Sequence, residues 1–544
     1  MERMRKVSAI GSLVLLFGIA ACTDDGQNET DEGNEATGSG DSTGDEEAAE
    51  SSEGGNMVLV MPSDAVTLDP HDSTDVPSNI VFDNIYETLV YHDENTELQP
   101  GLAESYEQLD DLTWEFNLQE DVTFHDGEPF NADAVVANLD RLLDPDTASP
   151  RASLFEAIED VEAVDEYTVH ITTDTPFSPL PAHLAHGSGS MMSPAAIEAD
   201  AEGELNLDTE PVGTGPFEFE SWEQGNEIVL TNNPDYWEDP AHLDSVTYTV
   251  VPEQGTRLAM LENGEAHFVQ QVEPANTERV EQMENASIVT QEMLGFEYIG
   301  FNNEVEPFDD VQVRRALSMA IDKDTIVEGL YEGYGTVADG PLGDMVFGAS
   351  DDIEPLPYDP EQAEELLADA GYEDGFSTTL LTNDENPMRI QMAELAQDQL
   401  SDIGVELSIE QMEWGAYLDT IAEGNSEMFV LGWSSATGDA DYVLHPNFHS
   451  DNLGAPGNQT FYVNEAFDDL VIEAREETDE ETRLELYEEA EQLLIDEAPA
   501  IFTDHNDYIV GVADSVEGFD HHPNGLFPLD DVSITEEAEG GSVY

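Results

Sequence analysis

Apolar and polar residues along the chain form runs of two kinds, divided by turn residues. Met57-Val58-Leu59-Val60-Met61 is a continuous apolar run and predicts a buried strand. From Ser78 to Val90, the residues Ile80, Ile85 and Leu89 fall on one helical face, so a helix is expected there. Thr113 to Leu118 alternates as a strand does, and Val122 to His125 continues the alternation. Asn131 to Leu143 predicts an amphipathic helix with Asn131 as its N-cap. Asp165 to Thr173 reads as a strand, and Phe217 to Leu230 as a hairpin turning at Gln224-Gly225-Asn226. Helices are expected over Val311 to Ile321, Pro360 to Ala370 and Met392 to Ile403, the last followed by a strand at Val405 to Ile409. No internal repeat is visible. Alternating strands and helices with long excursions predict a mixed α/β body.

Ahead of residue 57 the pattern changes. Arg3, Arg5 and Lys6 precede the apolar run Val7 to Ala21. About fifteen residues cannot span a hydrocarbon layer of ~30 Å, so residues 1–21 are expected to be a secretory signal. No two arginines are adjacent at this start, which favours general secretion over the twin-arginine route. Cys22, the single cysteine, directly follows Ile19-Ala20-Ala21. A small residue before a cysteine resembles the lipobox of exported lipoproteins, which implies that Cys22 is lipidated. Two acyl chains hold a soluble domain on a membrane stably. Residues 22–56 carry no base and no large aliphatic or aromatic side chain, and are expected to form a disordered acidic tether. The expected location is the outer face of the cell membrane, periplasmic if the host has an outer membrane.

Charge narrows the function classes. The chain has 124 Asp plus Glu against 13 Lys plus Arg, a formal net charge of -111. The signal holds three of the bases, leaving 13 - 3 = 10, of which only Lys323 is a lysine. So acidic a fold repels itself in dilute buffer, whereas at ~1 M salt the Debye length falls to ~3 Å. The acidity is therefore read as adaptation to a salty exterior. A nucleic-acid-binding face needs bases that are not here. Lys323 lies in Ile321-Asp322-Lys323-Asp324 and not in a glycine-rich phosphate loop. One cysteine allows no disulfide within the chain.

Several segments in order resemble the extracellular solute-binding proteins of peptide-type ABC importers, family 5. They include Leu68-Asp69-Pro70-His71, Leu102-Ala103-Glu104-Ser105, Phe124-His125-Asp126-Gly127 and Phe130-Asn131-Ala132-Asp133. Gly213-Thr214-Gly215-Pro216-Phe217, Asn233-Pro234-Asp235-Tyr236-Trp237 and Val313-Arg314-Arg315-Ala316-Leu317 follow. Tyr358-Asp359-Pro360, Gly432-Trp433 and Gly438-Asp439-Ala440-Asp441 complete the series. The resemblance implies an α/β fold of two lobes in the type II periplasmic-binding-protein manner, with a hinge and an extra subdomain on lobe I. It places lobe I at 57–91 and 213–298, the subdomain at 92–212, lobe II at 299–504, and a return to lobe I with a tail at 505–544. It further implies a monomer without cofactor or nucleic acid, closing on a peptide ligand and delivering it to the permease and ATPase subunits of an importer.

A buried peptide must have both termini paired, because an unpaired buried charge is very costly. By resemblance, Asp439, with Asp441 second, is expected to meet the ligand ammonium. Arg389, in Asn386-Pro387-Met388-Arg389 just before a helix, is expected to hold the carboxylate. Trp433 and Trp414 are candidates to line the cleft, and Ser78 and Asn79 to touch ligand near the hinge. Arg314 and Arg315 read as structural. The ligand stays open among dipeptide, oligopeptide and glutathione, with a nickel or metal-chelate receptor as the alternative within the family. His183-x-x-His186 and His445-x-x-x-His449 are the spacings that keep metal open. A secreted hydrolase is the alternative from another class. Against it, the chain has no Gly-x-Ser-x-Gly elbow, no His-Glu-x-x-His helix, and no nucleophilic cysteine once Cys22 is lipidated.

Overall fold

The structure is a computed structural model that describes residues 54–454 and 457–535. The signal segment, Cys22 and the tether up to residue 53 lie outside the described residues. The apolar run near residue 57 is the strand Asn56–Met61. It sits inside a seven-stranded sheet, parallel to Ser245–Val250 on one side and to Phe268–Val269 on the other. Two strand neighbours and two covered faces leave this run no exposed side, which explains why it does not alternate.

A second sheet of six strands has the order Thr336–Val337, Ala500–His505, Gly295–Phe301, Met428–Ser434, Phe376–Asn383, Val405–Met412. The chain passes from the first sheet to the second between Glu292 and Gly295, and returns between His505 and Asp507. The two passages run side by side: Glu292 pairs with Asp507, and Met293 N donates to the Asn506 carbonyl at 2.9 Å. Two connectors bonded to each other form a hinge between two sheet-centred lobes. A four-stranded antiparallel module, Ala103–Asp110, Thr113–Leu118, Thr168–Thr173 and Ile158–Asp165, is the excursion of the first lobe, with its own core. Among the described residues, no helix is long and apolar enough to cross a membrane.

Local expectations and outcomes differ where tertiary bonds intervene. The hairpin forms as predicted, with Glu223 opposite Glu227. Asn131 caps Ala132–Leu143 by accepting from Ala134 N at 3.1 Å. The helix expected over 78–90 is only Val76–Phe82. Its continuation is diverted because the carbonyls of Asn84 and Ile85 accept from Phe217 N and Gly215 N. Gly215 is required there, since a Cβ on it would lie 2.8 Å from the Ile85 carbonyl oxygen. Val122 to His125 forms no strand, only an isolated bridge between Thr123 and Pro129. Asp165 ends one strand and Thr168 starts the next, with Glu166 and Tyr167 turning between them.

Candidate functional site

Ligands of open α/β sheets sit beyond the carboxyl ends of the strands. In lobe II those ends carry Asn383, Met412 and Ser434. The helix after the strand Phe376–Asn383 begins at Pro387, five residues earlier than the expected start at Met392. Asn386 caps it, accepting from Met388 N and Arg389 N. Arg389 therefore stands in the first helical turn and not ahead of it. It meets Glu297 in a two-point ion pair, Nε to Oε2 at 2.9 Å and Nη2 to Oε1 at 2.8 Å. Its guanidinium lies 6.0 Å from the Trp414 ring centroid, and Trp414 stacks on Tyr417 at 5.8 Å. Gly432, opposite Glu297 in the sheet, makes room for the pair: a Cβ there would stand 2.2 Å from Glu297 Oε1. On the adjoining strand, burial and then the Glu297 charge push the Asp504 carboxyl up to about 7.

The loop after Trp433 turns its acids inward. Both oxygens of Asp439 accept from Arg483 Nη2 at 2.8 Å, and Asp441 N donates to Oδ1 at 2.9 Å. The Arg483 guanidinium lies 4.8 Å from the Phe347 ring and 5.1 Å from that of Tyr487. Asp441 lies 2.8 Å from Arg475 Nε and 3.3 Å from Nε2 of His183, a residue of the first lobe's excursion. Burial raises its carboxyl pKa, yet Arg475 and His183 more than offset that and hold it well below the usual range. His183 Nδ1 donates to the Leu154 carbonyl at 2.7 Å, and Ser178 N donates to the Arg475 carbonyl at 2.9 Å. This corner is a contact between the lobes, and each of its acids already faces a protein cation. Trp433 joins it, its Nε1 donating to the Tyr442 carbonyl at 3.0 Å and its ring 5.4 Å from that of Tyr442.

On the first lobe, Ser78 is fully buried. Its Oγ accepts from Val66 N and Thr67 N and donates to Asp75 Oδ2, so its hydrogen-bonding capacity is used locally. Asn79 is half-buried and accepts from Ser73 Oγ at 2.8 Å. The structure thus gathers Arg389 and Trp414 in one cluster, Trp433, Asp439 and Asp441 in another, and Ser78 with Asn79 at a third position. Glu297, Arg475 and Arg483 went unnoticed in the sequence. The scarcity of bases is the signal that would have found the two arginines.

Arg314 donates to the carbonyls of Phe308, Glu497 and Ala498, and Arg315 to that of Asp496, which are structural ties. The histidine pairs also have local roles. His186 Nδ1 accepts from Ser188 N, and the His445 and His449 rings lie 4.9 Å apart. Among the described residues, no group of three or more His, Cys, Asp or Glu side chains is placed to hold a metal ion. A separate cavity of about 380 Å³ lies within the first lobe, between residues 83–101, 236–238 and 518–531.

Two sheet-centred lobes, a two-strand hinge, and aromatic and charged side chains at the strand ends define a two-lobed solute-binding protein. The chain belongs to the bacterial extracellular solute-binding proteins, family 5, whose "Middle" family model matches residues 97–455. It is 35% identical over 489 residues to the glutathione-binding protein GsiB of Pectobacterium atrosepticum, covering 88% of this chain and 94% of that protein. Its fold is similar to that of HbpA2 from Haemophilus parasuis, with a TM-score of 0.81 and 30% identity over 89% of this chain and 100% of that one. The periplasmic binding protein DppA from Helicobacter pylori, in complex with the peptide STSA, aligns with a TM-score of 0.75 and 30% identity, covering 89% and 98%.

Proposed function

We propose that this protein is the receptor of an ABC importer for short peptides, with glutathione and dipeptides as the first ligands to test. The likeness to glutathione-binding proteins over 88% of the chain carries the reading. Hinge closure would enclose the ligand between the lobes and remove it from water, and the closed outer surface would be what the permease reads. Lipidation at Cys22 would keep the receptor at the outer face of the cell membrane, and the acidic tether would give it reach. As a receptor it releases its ligand unchanged, so no catalytic residue is proposed.

Within the crevice, Trp414 and Trp433 are proposed to line the ligand path. Arg389 is proposed to serve a ligand carboxylate through the nitrogen that Glu297 does not engage. Glu297 and Asp504 set two carboxyls against one guanidinium, which suits a ligand ammonium. Asp439 and Asp441 are proposed to act on ligand through the loop they brace, since both are neutralised by arginines.

Calorimetric titration of the full chain in about 2 M salt, which screens its self-repulsion, tests the reading. Glutathione, a mixed dipeptide pool and nickel–histidine are titrated in parallel. Saturable binding of either peptide at micromolar concentrations or below is the expected result. Binding of the nickel chelate alone would remove the peptide assignment.

A further inference from the structure

All ten bases that follow the signal segment lie within the described residues. Seven face a carboxylate, as Arg389, Arg475 and Arg483 do. Arg257 donates to the carbonyls of Val251, Pro252 and Gln271, and Lys323 to that of Ala338. Arg151 differs from all of these. Its Nε donates to the Ser73 carbonyl at 3.0 Å, while neither Nη1 nor Nη2 has a partner among the described residues. In a chain with 124 acidic residues, a guanidinium that faces no carboxylate among the described residues is the exception that calls for a ligand.

Its setting is fixed and lies where the lobes meet. Arg151 N donates to Ser149 Oγ at 3.1 Å, and that hydroxyl donates to the His71 carbonyl, so backbone and side chain are both pinned to the segment 71–73. Ser73 Oγ donates to Asn79 Oδ1, and the Asn79 amide nitrogen has no partner among the described residues. Tyr442 of lobe II packs against the core that holds Leu154 and Phe155, three and four residues after Arg151, and its ring centroid lies 6.3 Å from that of His183. Burial pushes its phenol up, and the Arg151 charge pulls it partly back. The Tyr442 ring in turn touches Trp433. One half-buried cation and one free amide donor are therefore held at the seam beside the aromatic wall, with their hydrogens uncommitted.

We propose that the Arg151 guanidinium, flanked by the Asn79 amide, receives a carboxylate of the ligand, and that this makes the receptor selective for anionic peptides over neutral ones. The terminal edge of a guanidinium matches a carboxylate in a two-point bond. Glutathione has two carboxylates and one ammonium, so it keeps a second anionic group for Arg151 after one has been met elsewhere. The proposal rests on the peptide-receptor reading and deepens it.

The test compares wild type, Arg151→Gln and Arg151→Lys in the full chain at about 2 M salt. Probes are glutathione, glutathione with its glycine carboxylate amidated, glutathione with its glutamyl α-carboxylate amidated, and tricarballylate as a non-peptide carboxylate. Wild type is expected to favour glutathione over one of the two amides by about 10- to 100-fold. Arg151→Gln is expected to abolish that preference, and Arg151→Lys to restore only part of it. A merely structural arginine would weaken every probe alike, so an unchanged preference in Arg151→Gln overturns the proposal while leaving the receptor reading intact. If wild type ignores the peptides but binds tricarballylate through Arg151, the peptide reading fails and the carboxylate site stands. Absence of Arg151-dependent binding to any probe overturns the carboxylate site.

Discussion

The loop at 433–441 and the corner at 73–79 with Arg151 both lie where the lobes meet, and they use their polar groups in opposite ways. In the loop every charge is answered: Asp439 by Arg483, Asp441 by Arg475 and His183. At the corner one cation and one amide keep donors without partners among the described residues. The first arrangement stabilises the receptor's own shape, and the second leaves interaction energy for something that arrives. In a chain this acidic, an aspartate near a cleft is weak evidence of a site. An arginine with no acid against it is much stronger evidence.

The same substitution at two arginines separates these roles most sharply. Arg483→Met strands the buried Asp439 carboxylate, and breaking a buried pair costs about 3–5 kcal/mol. Arg151→Met breaks only one bond to a carbonyl and should cost about 1 kcal/mol or less. Chemical denaturation at high salt measures both, and equal losses would erase the distinction between a bracing and a receiving arginine.

A buried acid with no ion pair among the described residues gives the next effect. Glu491 accepts from Leu342 N at 3.2 Å; burial first, then the charges of Asp339 and Glu488, push its carboxyl up to about 8 against that hydrogen bond. A carboxyl whose pKa is higher folded than unfolded binds its proton more tightly in the native state. Stability should therefore be lost as pH rises from about 4.5 through about 8, by an amount on the order of a few kcal/mol. Glu491→Gln, uncharged throughout, should be more stable than wild type at pH 8 and flatten the profile across that window. Asp439, already paired, should show no such gain on replacement by Asn. Parallel thermal melts from pH 5 to 8.5 decide between the two.

The seam itself is the third comparison. Asp441→Asn removes the charge that Arg475 and His183 share across the lobes, at a cost of about 1–3 kcal/mol for groups left partly unsatisfied. Its mark should be local: faster amide exchange at 180–184 and in the helix Asp441–Phe448, with strand Asn56–Met61 unchanged. Uniform acceleration throughout the protein would mean that Asp441 supports the whole fold and not the contact between lobes.

Most of the fold could be read from the sequence because local signals and burial agreed. Asn131, Asp359 and Asn386 each cap a helix; the sequence marks Asn131 as a cap and starts the second helix at Pro360, directly after Asp359, but misses the start after Asn386. The truncated helix at Val76–Phe82 was not legible, since Ile85 and Leu89 keep helical spacing while the Ile85 carbonyl accepts from Gly215, about 130 positions away, and the Leu89 carbonyl from Gly101 and Ala103. The same holds for the site. Family resemblance drew attention to Asp439, Asp441 and Arg389, but no pattern within those segments reveals Arg483, Arg475 or Glu297 as their partners. Pairing is a long-range property: Arg389 and Glu297 are 92 residues apart, and Arg483 and Asp439 are 44. Counting bases narrows the search, because it asks which arginine is left over, and only long-range pairing shows that Arg151 faces no carboxylate among the described residues.

The smallest expected effect tests whether Arg389 belongs with the braced charges or with the receiving ones. Its backbone amide is one of two that donate to the Asn386 side chain, so the cap fixes the turn from which Arg389 reaches Glu297. Asn386→Ala should cost about 1 kcal/mol of stability through loss of the cap. If Arg389 only braces Glu297, ligand affinity should follow stability weakly and the preference between glutathione and its amides should stay as in wild type. If Arg389 also touches a ligand carboxylate, loosening its turn should weaken glutathione by about threefold, because roughly half the capping loss would be felt at the guanidinium. The amide lacking that carboxylate should then be unaffected. Combining Asn386→Ala with Arg151→Gln resolves the matter: additive losses would mean two independent carboxylate contacts, while no loss beyond Arg151→Gln would leave Arg389 among the bracing pairs.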